Sequence, residues 1–393
     1  MNKGSMRIKI LDDGKYLQIN ETTIFPAIYL RDNCPDSFHS TTFQREVPVW
    51  DLPCDLRIQN AKFLANDRVQ ITYSDGYVSG MPLHFFDKNS FHFAAGQAPP
   101  KLQLWNAKYL SASGLPSYNF NDIIQKDKVL LSFLNTITSC GVAKISNCGI
   151  VPGQLEKLAQ RFGFIRETNY GKIFEVRVEK NALNQAYTSH ALPLHTDLPF
   201  YEYPPGIQLL HCLVQCKDIN GGGKSILADG LAIAQKMKVE MPRLYQRLVN
   251  SKVVFEDKAN NGKFFMKCER AIIEECNGLP CEIHYNNHVR STELNIALDD
   301  VEEFYEAIRE FGKLAHSPEF LYETRLQPGE ILAFSNKRVL HGRRAIVMDN
   351  HASDSKRISR WLQGAYVDMD EVYSKQRCLV EMAGETGISS CKL

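Results

Sequence analysis

Apolar positions fall along this chain in two regimes. From residue 1 to about 100 they alternate with polar ones in short runs: Met6-Arg7-Ile8-Lys9-Ile10-Leu11, Tyr16-Leu17-Gln18-Ile19 and Arg68-Val69-Gln70-Ile71-Thr72-Tyr73. That two-residue period predicts strands, and Asp12-Asp13-Gly14 and Ser74-Asp75-Gly76 read as hairpin turns between them. Ala94 to Pro100 reads as an exit linker. Beyond it the period lengthens. Ile123, Ile124, Val129, Leu130, Phe133, Leu134 and Ile137 recur at helical spacing and predict a helix from Phe120 to Thr138 behind the N-cap candidate Asn121. Pro152 to Phe162, Asp229 to Leu248 with a break at Met241-Pro242, and Asp299 to His316 are also expected to be helical. Apolar runs such as Gly141-Val142-Ala143-Lys144-Ile145, Ile207 to Val214 and Glu330-Ile331-Leu332-Ala333-Phe334 lie between them as strands. These strands never alternate regularly with helices, which disfavours a doubly wound sheet. The pattern predicts a mainly β fold with buttressing helices: a small N-terminal β-rich domain over 1–100 and a β-sandwich or jelly roll over 101–393.

Composition adds exclusions. With 393 residues, 44% of them hydrophobic, the chain can bury a substantial core. Its 46 basic and 45 acidic side chains leave a net charge of +1, so nothing advertises nucleic acid as a partner. No apolar run approaches the roughly 20 residues a bilayer crossing needs, and Met1 to Lys15 lacks the apolar stretch of a secretory signal. A cytoplasmic location is expected. Peroxisomes are the alternative, because Cys391-Lys392-Leu393 lies close to the Ser-Lys-Leu signal. The 11 cysteines are scattered without a C-x-x-C pair and read as reduced thiols, with no structural disulfide.

Candidate chemistry gathers at Leu194-His195-Thr196-Asp197-Leu198-Pro199. Two residues apart on an extended segment, His195 and Asp197 leave the same face and can grip one ion. His341 follows a buried strand more than a hundred residues later. Two imidazoles and one carboxylate form the ligand set of non-haem Fe(II) oxygenases, with positions left open for co-substrate and dioxygen. Arg357 and Arg360 come within twenty positions of His341, and a guanidinium is suited to holding the carboxylate of a dicarboxylate co-substrate.

A longer pattern surrounds these residues. It runs from Phe25-Pro26-Ala27-Ile28-Tyr29-Leu30-Arg31-Asp32-Asn33-Cys34-Pro35 through His195-Thr196-Asp197 and Pro204-Pro205-Gly206-Ile207-Gln208-Leu209-Leu210-His211-Cys212. It continues through Gly222-Gly223-Lys224-Ser225, Asp229-Gly230 and Leu340-His341-Gly342-Arg343-Arg344 to Ile358-Ser359-Arg360-Trp361-Leu362-Gln363-Gly364-Ala365-Tyr366. Ordered and nearly chain-long, it resembles the γ-butyrobetaine dioxygenase family. The resemblance implies a double-stranded β-helix core that binds Fe(II), uses 2-oxoglutarate as co-substrate and ascorbate as reductant, and forms a homodimer. It implies hydroxylation of 4-trimethylammoniobutanoate to L-carnitine with release of succinate and CO2. By position, His195, Asp197 and His341 would bind iron, and Arg360 with Ser225 would hold the far carboxylate of 2-oxoglutarate. Tyr170, Phe174, Tyr187 and Tyr366 would cage the quaternary ammonium, and Asn184 and Asn286 would meet the substrate carboxylate. Phe174 stands where the family usually has tryptophan.

The chain departs from the family at two places. The N-terminal zinc site of three cysteines and a histidine keeps Cys34, but Asp36 and His39 stand at the other near positions and Tyr77 at the histidine's, so loss of zinc is expected, with a mixed Cys/Asp/His site as the alternative. The segment from His341 to Arg360 is several residues longer than usual; its Ile-Ser-Arg context favours Arg360 over Arg357. Two other functions stay open: a trimethyllysine dioxygenase or hydroxylase of a related betaine, and a non-catalytic metal-binding pseudoenzyme.

Overall fold

The computed structural model describes residues 7–21, 23–88, 102–177, 190–216, 222–259, 262–346 and 360–383. The positions singled out above at 94–100, Asn184, Tyr187, Arg357 and 391–393 lie outside the described residues. Contacts divide the chain into two compact units, Met1–Ala98 and Pro99–Leu393. No described helix is long and apolar enough to cross a membrane.

In the first unit, β1 (Ile8–Leu11), β2 (Tyr16–Ile19) and β3 (Thr23–Pro26) form an antiparallel sheet that leads into α1 (Ala27–Asp32). A second antiparallel sheet follows, of β4 (Ile58–Leu64), β5 (Arg68–Tyr73) and β6 (Val78–Pro82), closed by α2 (Leu83–Lys88). Alternation puts Val69, Ile71 and Tyr73 on the buried face, where they meet Leu17, Phe25 and Leu30. The first turn needs its glycine. Gly14 has φ +85°, and a side chain there would press on the Ile58 carbonyl.

The family's zinc positions carry other interactions in this unit. Cys34 Sγ lies 3.4 Å from the Tyr77 hydroxyl and 3.9 Å from Asp36. The Arg31 guanidinium stands 3.6 Å from the centre of the Tyr77 ring and pairs with Asp75 at 3.3 Å. His39 Nδ1 accepts from the Thr42 amide at 3.2 Å and so caps its own turn. A thiol, a carboxylate and a phenol beside a fixed guanidinium do not fit a closed site of four thiolate or imidazole ligands.

The second unit is a double-stranded β-helix. It opens with α3 (Ala107–Ser113), β7 (Ser117–Asn119), α4 (Phe120–Gln125), α5 (Asp127–Ser139), β8 (Val142–Ser146), α6 (Gln154–Ala159) and β9 (Phe174–Arg177). Next come β10 (Leu192–His195), β11 (Ile207–Val214), β12 (Ser225–Asp229), α7 (Gly230–Glu240), α8 (Pro242–Asn250), β13 (Lys252–Lys258), β14 (Phe265–Ala271), β15 (Ile273–Cys276) and β16 (Leu279–Ile283). The described residues close with α9 (Val301–Ala315), β17 (Tyr322–Thr324), β18 (Ile331–Ser335), β19 (Val339–Arg343), β20 (Trp361–Val367) and α10 (Met369–Met382). A six-stranded sheet, β7-β8-β18-β11-β20-β9, faces a four-stranded one, β10-β19-β12-β17. Cys212, Leu332, Phe334 and Leu362 of the first meet Leu227 and Val339 of the second in a shared core. The outer face of the larger sheet packs on α4, α5, α6 and α10, and that of the smaller on α7, α8 and α9.

The helix expected over 120–138 is two helices. Lys126 is extended between α4 and α5, and the cap is Asn119, whose Oδ1 accepts from the Asn121 amide at 2.9 Å, in place of Asn121. Ile123 and Leu130 keep a seven-residue spacing across the break, so periodicity alone does not reveal it. The interruption at Met241-Pro242 does divide α7 from α8, with Pro242 opening the second helix.

One buried ion pair ties the layers of the second unit together. Asp229 is 0% exposed and Arg338 4%. Arg338 Nε and Nη2 reach Asp229 Oδ1 and Oδ2 at 3.0 and 2.7 Å, and Nη1 and Nη2 donate to the carbonyls of Ser139 and Gln103, each at 2.7 Å. Asp229 also accepts from the amides of Trp105 and Leu231, the latter capping α7. Arg338→Met, which strands the Asp229 charge, is expected to cost about 3–5 kcal/mol of stability in urea unfolding; a loss below about 1 kcal/mol would make the pair dispensable.

Candidate active site

Between the two sheets, alternation selects which side chains face one another. On β12 and β19, Ile226, Ala228 and Leu340 point out to the helices, so Ser225, His341 and Arg343 point inward. On β20, Ala365 and Val367 point out, so Gly364 and Tyr366 point inward. β10 ends at His195, whose Cα is the ladder partner of His341, and the two imidazoles lie 4.3 Å apart between ring centres. Asp197 Oδ1 is 3.1 Å from His195 Nε2, and its Oδ2 is 3.7 Å from His341 Nε2. The donor atoms of all three residues lie within 4.8 Å of one another.

The backbone here is held from two sides. The Asp197 amide donates to Asn336 Oδ1 at 2.7 Å, while Asn336 Nδ2 returns a bond to the Asp197 carbonyl at 2.8 Å. Thr196 exchanges bonds with Tyr285, its amide donating to the Tyr285 carbonyl at 2.7 Å and its hydroxyl accepting from the Tyr285 amide at 3.0 Å. Leu198, next in the chain, has φ +56°, a left-handed conformation costly for a branched side chain that these clamps stabilise.

Protonation suits a cation. Burial, and then the neighbouring His195, pushes His341 down to about 3, so it presents a neutral imidazole. Burial also raises Asp197, but the two histidines and the Tyr366 hydroxyl outweigh it and hold the carboxyl below its usual range. At His195 burial is outweighed by Asp197 and the Pro193 carbonyl, and the pKa rises; a bound metal would compete with that proton. His195 Nδ1 lies 2.8 Å from the Pro193 carbonyl, which directs Nε2 towards the other two donors. The residues therefore fit a two-histidine, one-carboxylate iron site.

A cationic end adjoins it. Ser225 is the ladder partner of Arg343, and both are buried. Arg360 is buried too; burial and then Arg343 push it down to about 10, and the Cys212 and Cys216 thiols and Arg325 are its next strongest influences. None of these is a carboxylate. Arg360 Nε is buried without a hydrogen-bond partner among the described residues. The Arg360 guanidinium, buried beside a second one, suits an anion, and the far carboxylate of 2-oxoglutarate fits. Arg343 escaped the sequence reading, although its place two residues after His341 on a strand puts it on the same face.

An aromatic wall forms a third side. Phe174 lies on Gly364, where any side chain would overlap its ring, and it stacks on Tyr366 with centres 5.1 Å apart and planes at 26°. These two expected cage residues are thus adjoining panels that leave no gap between them for a cation. Tyr366 also donates through its hydroxyl to Asp197 Oδ2 at 2.7 Å, a contact the sequence did not suggest. Tyr170 packs against the same cluster, with its hydroxyl donating to Asp257 at 2.8 Å. Asn286 Nδ2 donates to the Thr196 carbonyl at 3.1 Å, between the candidate iron ligands in sequence.

The chain is similar to known dioxygenases over most of its length. The family described as taurine catabolism dioxygenase TauD, TfdA matches residues 105–366. γ-Butyrobetaine dioxygenase of Homo sapiens is 32% identical over 387 residues, 95% of this chain and 96% of that protein. The enzyme of the same name from Pseudomonas sp. (strain AK-1) is 33% identical over 359 residues, 89% of each chain. Mitochondrial trimethyllysine dioxygenase of Bos taurus is 30% identical over 374 residues, 92% of this chain and 84% of that one.

His195→Ala and Asp197→Ala are each expected to abolish stoichiometric Fe(II) binding and turnover without changing the circular dichroism spectrum. Near-native activity in either variant would remove these residues from the iron site. Arg360→Lys keeps the charge but loses the planar fork, so KM for 2-oxoglutarate should rise about tenfold or more, a change of about 1.4 kcal/mol or more, with KM for the prime substrate little affected. Arg343→Lys is expected to act in the same direction. Unchanged 2-oxoglutarate kinetics in both would place the anion elsewhere.

Proposed function

This chain belongs to the TauD/TfdA family and, within it, to the γ-butyrobetaine dioxygenase family; it is an Fe(II)- and 2-oxoglutarate-dependent dioxygenase, and we propose that it hydroxylates γ-butyrobetaine to L-carnitine. When bound, Fe(II) and 2-oxoglutarate supply the oxidising power that places one oxygen atom of O2 in a substrate C–H bond, with succinate and CO2 as the other products. The chain's own residues decide which bond that is. His195, Asp197 and His341 hold the metal, and Arg360, with Arg343 and the Ser225 hydroxyl, holds the co-substrate's far carboxylate.

The observation that carries the reading is Tyr366, whose hydroxyl sits on Asp197 while its ring continues the Phe174 wall. A trimethylammonium group donates no hydrogen bond, so aromatic faces are its natural receptor. A wall joined directly to a metal-ligand carboxylate keeps the carbons next to that group within reach of the metal. Tyr170 and, by its place in the family pattern, Tyr187 complete the receptor. Asn286 and, again by position, Asn184 receive the substrate carboxylate, since neutral amides donate to it without repelling it. The separation of receptor and amides would select the length of the substrate chain, three methylenes in γ-butyrobetaine.

Side-by-side assays with Fe(II), 2-oxoglutarate and ascorbate test the assignment. The expected result is carnitine formation from γ-butyrobetaine in clear preference to hydroxytrimethyllysine formation from trimethyllysine, and severe loss of butyrobetaine turnover in Asn184→Asp, where a carboxylate would face the substrate's own. Equal or better use of trimethyllysine would overturn the substrate and leave the oxygenase chemistry in place.

A further inference from the structure

β15 and β16 form a hairpin whose tip is Asn277-Gly278, with φ +54° and +72°. Positive φ at both positions is the turn that Asn-Gly favours, and it matches the twist of the flanking strands. The ladder pairs Cys276 with Leu279, Glu275 with Pro280 and Glu274 with Glu282. Cys281 is therefore the extra residue of a bulge, a device that re-aims a side chain. It does so here: Cys281 Sγ lies 2.9 Å from Cys276 Sγ, and it also contacts the Glu274 carbonyl at 3.3 Å. Cys276 is exposed and Cys281 half-buried. The hairpin behind them is fixed, since Glu275 accepts from the Tyr245 hydroxyl at 2.5 Å and pairs with Lys238 at 3.1 Å.

We propose that Cys276 and Cys281 form a thiol–disulfide exchange site that accepts low-molecular-weight disulfides of the glutathione class and closes to a reversible intramolecular disulfide. A disulfide bond is about 2.05 Å long, so the two sulfurs need to approach by under about 1 Å. The exposed Cys276 thiolate attacks one sulfur of the external disulfide, forming a mixed disulfide and expelling one thiolate, which takes up a proton. Cys281 then gives up its proton and attacks Cys276 Sγ, expelling the second thiolate. Two protein thiols are oxidised and one external disulfide is reduced to two thiols, so two electrons leave the protein. The roles are unequal. Burial, and then the adjacent Cys276 sulfur, pushes the Cys281 thiol up and keeps it protonated, which leaves Cys276 as the attacking group and Cys281 as the resolving one.

The site stands apart from the oxygenase chemistry, and its test does not depend on it. Reduced full-length protein is incubated with oxidised glutathione, followed by alkylation, intact mass and peptide mapping. The expected product carries a Cys276–Cys281 crosslink that leaves this pair two hydrogens lighter with neither thiol titratable, carries no glutathione at Cys276, and is restored by dithiothreitol. Cys281→Ser is expected to trap a stoichiometric glutathione adduct on Cys276, and Cys276→Ser to leave Cys281 reduced; circular dichroism confirms that both variants are folded. A stable adduct on Cys276 of the native protein would overturn the proposal. So would Cys276 and Cys281 both remaining reduced under conditions that modify the exposed Cys54 and Cys378.

Discussion

The pairing of Asp229 with Arg338 is the constraint from which the rest of the catalytic unit follows. Asp229 ends β12 and caps α7, and Arg338 stands just before β19, so the pair fixes where these two strands meet. Their register then places Ser225 opposite Arg343 and Leu227 opposite His341. A slip of one residue would turn His341 and Arg343 outward to the helices and Leu340 inward. Two buried charges contribute little net stability when paired but leave a large penalty if separated, and that asymmetry favours one register over its neighbours. Gly230 belongs to the same joint, because a side chain there would meet the Arg338 carbonyl.

With the register set, the interior divides into regions of different character. At one end His195, Asp197 and His341 draw together donors whose protonation suits a cation; at the other, Arg343 and Arg360 lie buried, with a third arginine, Arg325, and the Cys212 and Cys216 thiols as further neighbours. A co-substrate carrying a carboxylate at its far end and metal-binding oxygens at the other matches both. The strained Leu198 backbone lies where the chain must turn away directly after Asp197, and Asn336 holds that turn with bonds to both the amide and the carbonyl of Asp197.

Much of this was legible in the sequence, for reasons of range. The two-residue and helical periods report on local geometry, and the spacing of His195 and Asp197 on an extended segment constrains where their side chains point. Other features depend on partners distant in the chain. The break at Lys126 is invisible to periodicity because Ile123 and Leu130 keep their spacing across it, while Asn119 caps from outside the apolar pattern. Asn336 reveals its role only when β18 and β19 bring it beside Asp197. Cys276 and Cys281 are five apart, a spacing without meaning until a bulge turns one towards the other. Arg343 differs from these, since its inward direction follows from that of His341, and only its proximity to Arg360 required the structure.

Tyr366 shows why the aromatic wall and the metal site cannot be treated as separate parts. It has one rotamer to satisfy two demands, a hydroxyl aimed at Asp197 and a ring lying against Phe174. The hydrogen bond helps hold Asp197 ionised and fixes the ring, so under the proposed function the face offered to a substrate would be set by the same contact that orients a metal ligand. Gly364, two residues earlier on β20, admits the Phe174 ring against the strand, and the pairing of Gly364 with Phe174 fixes which part of β9 supplies it. Along β20, Leu362, Gly364 and Tyr366 alternate towards the interior, so the aromatic wall and the contact to Asp197 share one strand. Under the proposed function, a change in any of them would alter the distance between the bound group and the metal, the quantity that selects which carbon reacts.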